Sequence, residues 1–335
     1  MEERGALRTP RRTMVAMTRP LSASQQQAIR ASLPPDRPFT VAEAAGLGVS
    51  NNRCRALVAD GFLVRPAPGV YRCAHLDDSL ELRLSILRLV VPTDCVVTDR
   101  TAAWVWVGDR ALAPGDHLAV PRVSVFAPPG RRLRNQLVSS GERALVERDV
   151  REVDGVRVTT PLRTACDLAR LLHRYQALAA VDALTRLCPV DVVNVELERF
   201  KGFRGIVQAR VVVPLADPRS DSQFESVARA QWLFDAGLPV PECQVPVRAP
   251  DGAWYHVDMG LPDERFGAEY FGEEFHGPGR ADADAARLRW ARQAERWTLV
   301  VAREHHVVGR RRDFDRRLRL AWERLLSTRP SYVTR

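Results

Sequence analysis

Lysine is almost missing from this chain: of its 50 basic residues only Lys201 is not arginine. A GC-rich genome produces the same bias, so no arginine is read as a phosphate contact on that ground alone. The six cysteines, Cys54, Cys73, Cys95, Cys166, Cys188 and Cys243, include no C-x-x-C pair and no histidine at zinc-site spacing. Neither a disulfide framework nor a structural zinc site is expected. No apolar run reaches the length of a membrane span. The five arginines of residues 1–20 are followed by no apolar stretch of the kind a signal peptide needs. The expectation is a cytoplasmic protein without a membrane partner.

With 335 residues, 45% of them hydrophobic and 27% charged, the chain has a soluble globular composition and room for two or three domains. Its net charge of +9 favours association with a polyanion. Residues 1–21 read as a disordered basic arm, interrupted by Pro10 and Pro20. Over residues 22–75 the order is helix (Gln25–Leu33), short helix capped by Thr40, a Gly46-Leu47-Gly48 turn, helix capped by Ser50, and a hairpin of Phe62–Arg65 with Gly69–Arg72. That order is a winged helix-turn-helix. Its second helix would carry Asn51, Asn52, Arg53 and Arg55 toward DNA base edges and phosphates, and its hairpin would carry Arg65 and Arg72. The inward face would be Leu47, Val49, Cys54, Leu57, Val58, Leu63 and Val70. The same unit can serve protein contacts alone.

Residues 76–215 form a mixed middle domain. Helices are expected over Ser79–Val91, Thr98–Val107, Pro161–Leu172 and Tyr175–Leu187. A strand is expected at His117–Pro121, and a hairpin around Asp154-Gly155. Arg163 and Asp167, four apart, suit a structural pair. The polar stretch 214–222 separates this from a last domain, 216–328, with an acid-bearing helix (Glu225), strands from Cys243 to Phe271, a charged helix, a strand at Trp297–Ala302 and a final helix. The cluster Arg310-Arg311-Arg312 suits nucleic-acid backbone contact, although a solvated face has the same composition.

The densest chemistry lies in HVDMGLPDERFGAEYFGEEFH, residues 256–276. Asp258 and Glu269 sit on two strands separated by a Pro262-Asp263 turn. Facing carboxylates invite a hard cation, Mg²⁺ or Mn²⁺, and a metal-assisted attack on a phosphodiester. A solvated hairpin with ordinary surface acids accounts for the same spacing.

The block VDMGLPDERFGAEYFGEEFHG, with DADAARLRWARQAERWTLVVA after it, resembles the Vsr-type branch of the PD-(D/E)xK nuclease superfamily, found as a domain of unknown function in many actinobacterial proteins. The segments FTVAEAAGLGVSNNRCRALVADGFLVRPAPGVY, DRTAAWVWVG and VDGVRVTTPLRTACDLARLL resemble AbiEi-type antitoxins of type IV toxin–antitoxin systems. These resemblances imply an α+β protein: a winged helix-turn-helix, an AbiEi-like middle domain and an α/β C-terminal domain with an αβββαβ core. They imply Asp258 and Glu269 as metal-binding acids, Glu225 as the helical acid and His276 as the downstream histidine. Phe271 departs from the pattern, standing where the family has Asp and the superfamily its lysine. Phe can neither bind a cation nor move a proton; Glu273, Glu274 and His256 are the neighbouring candidates for that role. Three readings follow: a DNA-binding regulator with a weak or inactive nuclease-like domain, an active Mg²⁺-dependent DNA endonuclease, and an antitoxin that neutralises a toxin.

Overall fold

The computed structural model describes residues 22–113, 121–127, 138–141, 143–248, 252, 254–272, 288–293 and 295–328. The basic arm, the expected strand at 117–120, and Glu273, Glu274 and His276 lie outside the described residues.

In the N-terminal unit Ser22 caps α1 (Ala23–Ser32), forming a reciprocal box with Gln25. After β1 (Phe39–Thr40) come α2 (Val41–Gly46) and α3 (Asn51–Ala59). The hydroxyls of Thr40 and Ser50 accept the Glu43 and Arg53 backbone N–H groups at 3.1 and 3.4 Å. The hairpin of β2 (Leu63–Ala67) and β3 (Val70–Cys73) joins β1 in an antiparallel sheet of order β1-β3-β2. Phe39, Ala44, Val49, Cys54, Leu57, Leu63 and Tyr71 pack the interior. Leu47, expected inside, is 45% exposed, because it stands at the C-cap of α2 where the chain turns outward. Pro66 and Ala67, which lie between the two strands expected of the hairpin, belong instead to β2. That strand is an edge with a register shift between Val64 and Ala67, so the missing proline N–H costs no ladder bond.

The hairpin does not stand free. Ala67 and Val70 are buried in a core shared with the middle of the chain. That core takes Leu84, Ile86 and Leu87 from α4 (Leu80–Arg88), Val97 from β4 (Val96–Val97) and Val105 from α5 (Asp99–Val107). It also takes Val125 from β5 (Val123–Phe126) and Val138 from β6 (Val138–Gly141). With β7 (Val150–Val153) and β8 (Val156–Thr159) these strands form a sheet of order β6-β5-β4-β8-β7. The β7–β8 turn places Asp154 and Gly155 at φ 54° and 74°, as an Asp-Gly hairpin requires.

The helices α6 (Pro161–Leu171), α7 (Arg174–Leu184), α8 (Val190–Glu196) and α9 (Ile206–Val212) build a second core. Thr160 caps α6 and Pro161 opens it. On α6, Arg163 does more than pair with Asp167 (2.8 Å): it also donates to Asp149 at 2.5 Å. Arg143 and Arg170 reach Asp167 at 2.8 and 2.5 Å, and Arg199 grips both oxygens of Asp149 at 2.6 Å. Arg163, Asp149 and Asp167 are all buried.

The C-terminal unit begins with α10 (Gln223–Gln231), which continues as a wider π-type turn over Trp232–Ala236. Strands β9 (Glu242–Arg248), β10 (Trp254–Leu261), β11 (Phe266–Phe271) and β12 (Thr298–Arg303) follow in the sheet order β12-β11-β10-β9. Only the β11–β12 pairing is parallel in this sheet. Residues 288–293 are helical between β11 and β12. The short α11 (Glu304–Val307) and the long α12 (Phe314–Thr328) close the described chain. One face of the sheet packs on α10 and α12 through Met259, Phe266, Ala268 and Val300; the other buries Val245, Val247, Val257 and Leu299. The first of these cores also includes Tyr175, Ala177, Leu178 and Ala179 of α7. Arg229 of α10 donates to both oxygens of Asp182 on α7, at 2.6 and 2.7 Å. All six cysteines are buried and none is in a disulfide.

Burial pushes the Asp149 carboxyl up, but hydrogen bonds from Arg199 and the Val146 N–H, with the charge of Arg163, outweigh this and hold it at about 2. Its stabilising contribution is complete above the unfolded value of about 4 and is lost as pH falls toward 2. Asp149→Asn should lower stability at pH 7 by about 3–5 kcal/mol. It should also flatten the loss of stability between about pH 4 and pH 2, read by urea denaturation across that range. A variant as acid-sensitive as the parent would show that other groups control it.

Candidate functional site

Two places hold the candidate residues. The first is the outer face of α3. Cys54 and Leu57 point inward, while Asn51, Asn52 and Arg55 are exposed and Arg53 is half-buried. Asn51 is not free for base contacts alone, since its Oδ1 accepts the hydroxyl of buried Tyr71 at 3.0 Å. That bond ties the start of α3 to β3. On the hairpin, Arg72 donates to the carbonyls of Cys73 (3.1 Å) and Leu76 (2.7 Å), a structural task. Arg65 is half-buried, and its Nε finds no hydrogen-bond partner among the described residues.

The second place is the β9–β10–β11 face. The β10–β11 pairing ends at Met259↔Ala268, so Asp258 and Glu269 each stand one residue beyond it. Their strands approach closely because Gly260 faces Gly267, where a Cβ at either would lie 2.9 Å from a backbone carbonyl oxygen across the pair. Asp258 Oδ2 accepts the Tyr270 N–H at 2.6 Å. Glu269 is 2% exposed. Ala268 and Tyr270 pack toward α10, with Phe224 stacked on the Tyr270 ring at 5.1 Å, so alternation sends Glu269 to the opposite face. Glu225 lies on α10 itself, where its Oε2 accepts the Asp221 N–H at 3.0 Å and Gln244 Nε2 at 3.2 Å. The structure thus sets Asp258 beside Glu269 but leaves Glu225 across the sheet from Glu269. His256 is exposed two residues from Asp258, and Phe271 is half-buried opposite Arg303.

Among the described residues no group of three or more His, Cys, Asp or Glu is placed to hold a metal ion. One carboxylate is engaged by a backbone N–H, one is enclosed and one lies on the other face. The other candidate donors, Glu273, Glu274 and His276, lie outside the described residues. Sequence reasoning missed Gln244, which adopts φ 53° where β9 faces Asp258. The ladder is interrupted there, with Val245↔Val257 and Cys243↔Met259 paired on either side. No local sequence signal marks such a residue, because only its tertiary partners hold it in the left-handed region.

The arginine cluster divides in the same way. Arg310 and Arg311 are exposed. Arg312 donates to the Tyr175 hydroxyl at 2.8 Å and to Asp235 at 3.3 Å, which Arg174 and the Tyr175 hydroxyl also engage.

Burial raises the Glu225 carboxyl above its usual range against the hydrogen bonds it accepts. Charging it in the folded chain is unfavourable, so stability is lost as pH rises from about 4 through the raised value. Glu225→Gln, which can keep an acceptor oxygen in place, should raise the melting temperature by a few degrees at pH 7.5. It should change nothing near pH 4. A lower melting temperature at pH 7.5 would show that the accepted hydrogen bonds dominate.

Residues 95–215 match the family model described as the AbiEi antitoxin C-terminal domain. The chain is also 35% identical over 246 residues to uncharacterized protein MT2308 of Mycobacterium tuberculosis (strain CDC 1551 / Oshkosh). It shows the same identity to uncharacterized protein Rv2248 of the H37Rv strain. The aligned region covers 72% of this chain and 86% of each relative. By that identity and coverage the chain belongs to the family of these mycobacterial proteins, and its middle carries an AbiEi antitoxin C-terminal domain.

Proposed function

We propose that the chain is a DNA-binding regulator of the antitoxin type. In this reading residues 22–75 are a winged helix-turn-helix, and residues 216–328 are a nuclease-like domain of the PD-(D/E)xK, Vsr-like kind that cuts weakly or not at all. The observation that carries it is the display of α3: capped by Ser50 and buried on Cys54 and Leu57, it turns Asn52 and Arg55 to solvent. A helix held in that way offers its first turns to a DNA major groove. The net charge of +9 supports a polyanionic partner, and exposed Arg310 and Arg311 supply phosphate contacts from the C-terminal unit. The separation of Glu225 from Glu269, with Phe271 in place of a polar group, supports weak cleavage.

Arg53→Ala with Arg55→Ala should weaken duplex binding at least about tenfold at physiological salt. It should also reduce the slope of log affinity against log salt by about 2, one for each phosphate charge that is no longer neutralised. Fluorescence anisotropy reads both, and unchanged affinity would discard α3 as the reader. Supercoiled plasmid should remain uncut with Mg²⁺ or Mn²⁺. Robust cleavage that disappears in Asp258→Ala would replace this reading with the endonuclease.

A second reading, direct neutralisation of a toxin, is favoured by exposed apolar side chains within the family-matched segment. Val195 is 75% exposed and Val207 77%, with Phe203 and Val211 also exposed nearby in the chain. Apolar surface of that kind marks protein contacts. Val207→Asp with Val211→Asp should leave thermal stability unchanged and abolish protection against a co-expressed nucleotidyltransferase-like toxin. Full protection by that variant would assign the antitoxin role elsewhere.

A further inference from the structure

Between the N-terminal unit and the middle sheet lies an open cleft of about 610 Å³, within the range of small-ligand sites. Five guanidinium-bearing residues line it: Arg55 from α3, Arg65 and Arg72 from the hairpin, Arg100 from α5, and Arg122 just before β5. Two acids share the wall, and one of them, Asp78, is held by Arg83. Among the described residues Asp109 is the other acid of the wall. Arg72 is occupied by its two backbone carbonyls, and Arg100 reaches the Ala111 carbonyl at 3.4 Å. Arg65 brings a buried Nε without a protein acceptor among the described residues, and Arg122 is exposed. Val58, Ile86 and Leu87 make part of the wall apolar, and half-buried Trp104 adds an aromatic surface.

Buried or half-buried guanidinium groups beside apolar wall attract an anion more strongly than the same groups in water. The planar guanidinium fork suits phosphate oxygens in particular. The apolar and aromatic part of the wall suits a flat ring attached to that phosphate. We propose that this cleft binds a small phosphorylated ligand of the nucleoside monophosphate class, gripped by arginines from both units. Because Arg55 belongs also to the exposed face of α3, an occupied cleft withdraws that side chain from DNA. This coupling rests on the DNA-binding reading; ligand binding itself does not.

The full chain should be titrated with AMP, GMP, CMP and UMP, and separately with inorganic phosphate and the four nucleosides, each up to about 10 mM. The expected result is a melting-temperature rise of several degrees with at least one nucleotide, and little or none with phosphate or nucleoside alone. Calorimetry should show that nucleotide bound at least about tenfold more weakly by Arg65→Ala and by Arg122→Ala. Arg122 is exposed, so Arg122→Ala should retain the parent's unliganded melting temperature and duplex affinity. A reduced DNA affinity in Arg53→Ala/Arg55→Ala tests the other reading independently. No response to any of the four nucleotides overturns the proposal. So does a response to inorganic phosphate equal to that of the best nucleotide, or nucleotide affinity unchanged in both cleft variants.

Discussion

The fold depends on a charge that cannot be left alone. Asp182 sits in the last turn of α7, where its neighbours Ala180, Val181, Ala183 and Leu184 are all buried. An isolated carboxylate there would be prohibitively unfavourable, and removing its partner would cost about 3–5 kcal/mol. Arg229 supplies that partner from α10; burial pulls its pKa down, and the charge and hydrogen bonds of Asp182, with further acidic neighbours such as Asp217, outweigh this and raise it. The same pair fixes the chain between the two helices. Asp182 accepts the Asp217 N–H at 2.9 Å, and Arg229 donates to the Leu215 carbonyl at 2.7 Å. A polar stretch that reads in sequence as a break is thereby held against a core shared by α7 and the C-terminal sheet.

The near-absence of lysine acquires a physical use in the middle of the chain. Asp149 and Asp167 each accept hydrogen bonds from more than one arginine, and Arg163 serves both carboxylates. An ammonium offers a point charge, whereas a guanidinium presents several donors in a fixed plane and also stacks. Arg170 lies over the Phe200 ring at 4.5 Å while its guanidinium binds Asp167. Replacing these side chains with lysine would keep the charge and lose the geometry.

Local signals in the sequence are strong where one residue type has one conformational use. Ser50 and Thr160 at helix starts, Pro161 at the first helical position and Asp154-Gly155 in a tight turn all place their elements within a residue or so. The two-residue strands β1 and β4 carry no readable period, since alternation needs more residues than they have. The Arg163–Asp167 pair is legible at helical spacing, but Asp149 and Arg199 are not, because they join it from separate turns. The candidate carboxylates show the same limit. Strand pattern sets Asp258 near Glu269, yet the face on which Glu225 lies is decided by how α10 packs, which no spacing in the chain encodes. Likewise Arg310, Arg311 and Arg312 are alike in sequence and all exposed, and only the fold singles out Arg312 by binding it to Tyr175 and Asp235.

The buried thiols give the molecule a built-in set of local stability probes. Cys54 and Cys73 lie in the N-terminal core, Cys166 and Cys188 in the helical core, and Cys95 behind the middle sheet. Cys243 lies on β9, and burial pushes it, like Cys166, up to about 12. A thiol so enclosed and so weakly acidic reacts with an alkylating reagent only when its surroundings open. Alkylation rates resolved cysteine by cysteine would therefore measure the opening free energy of each core separately, without any introduced label.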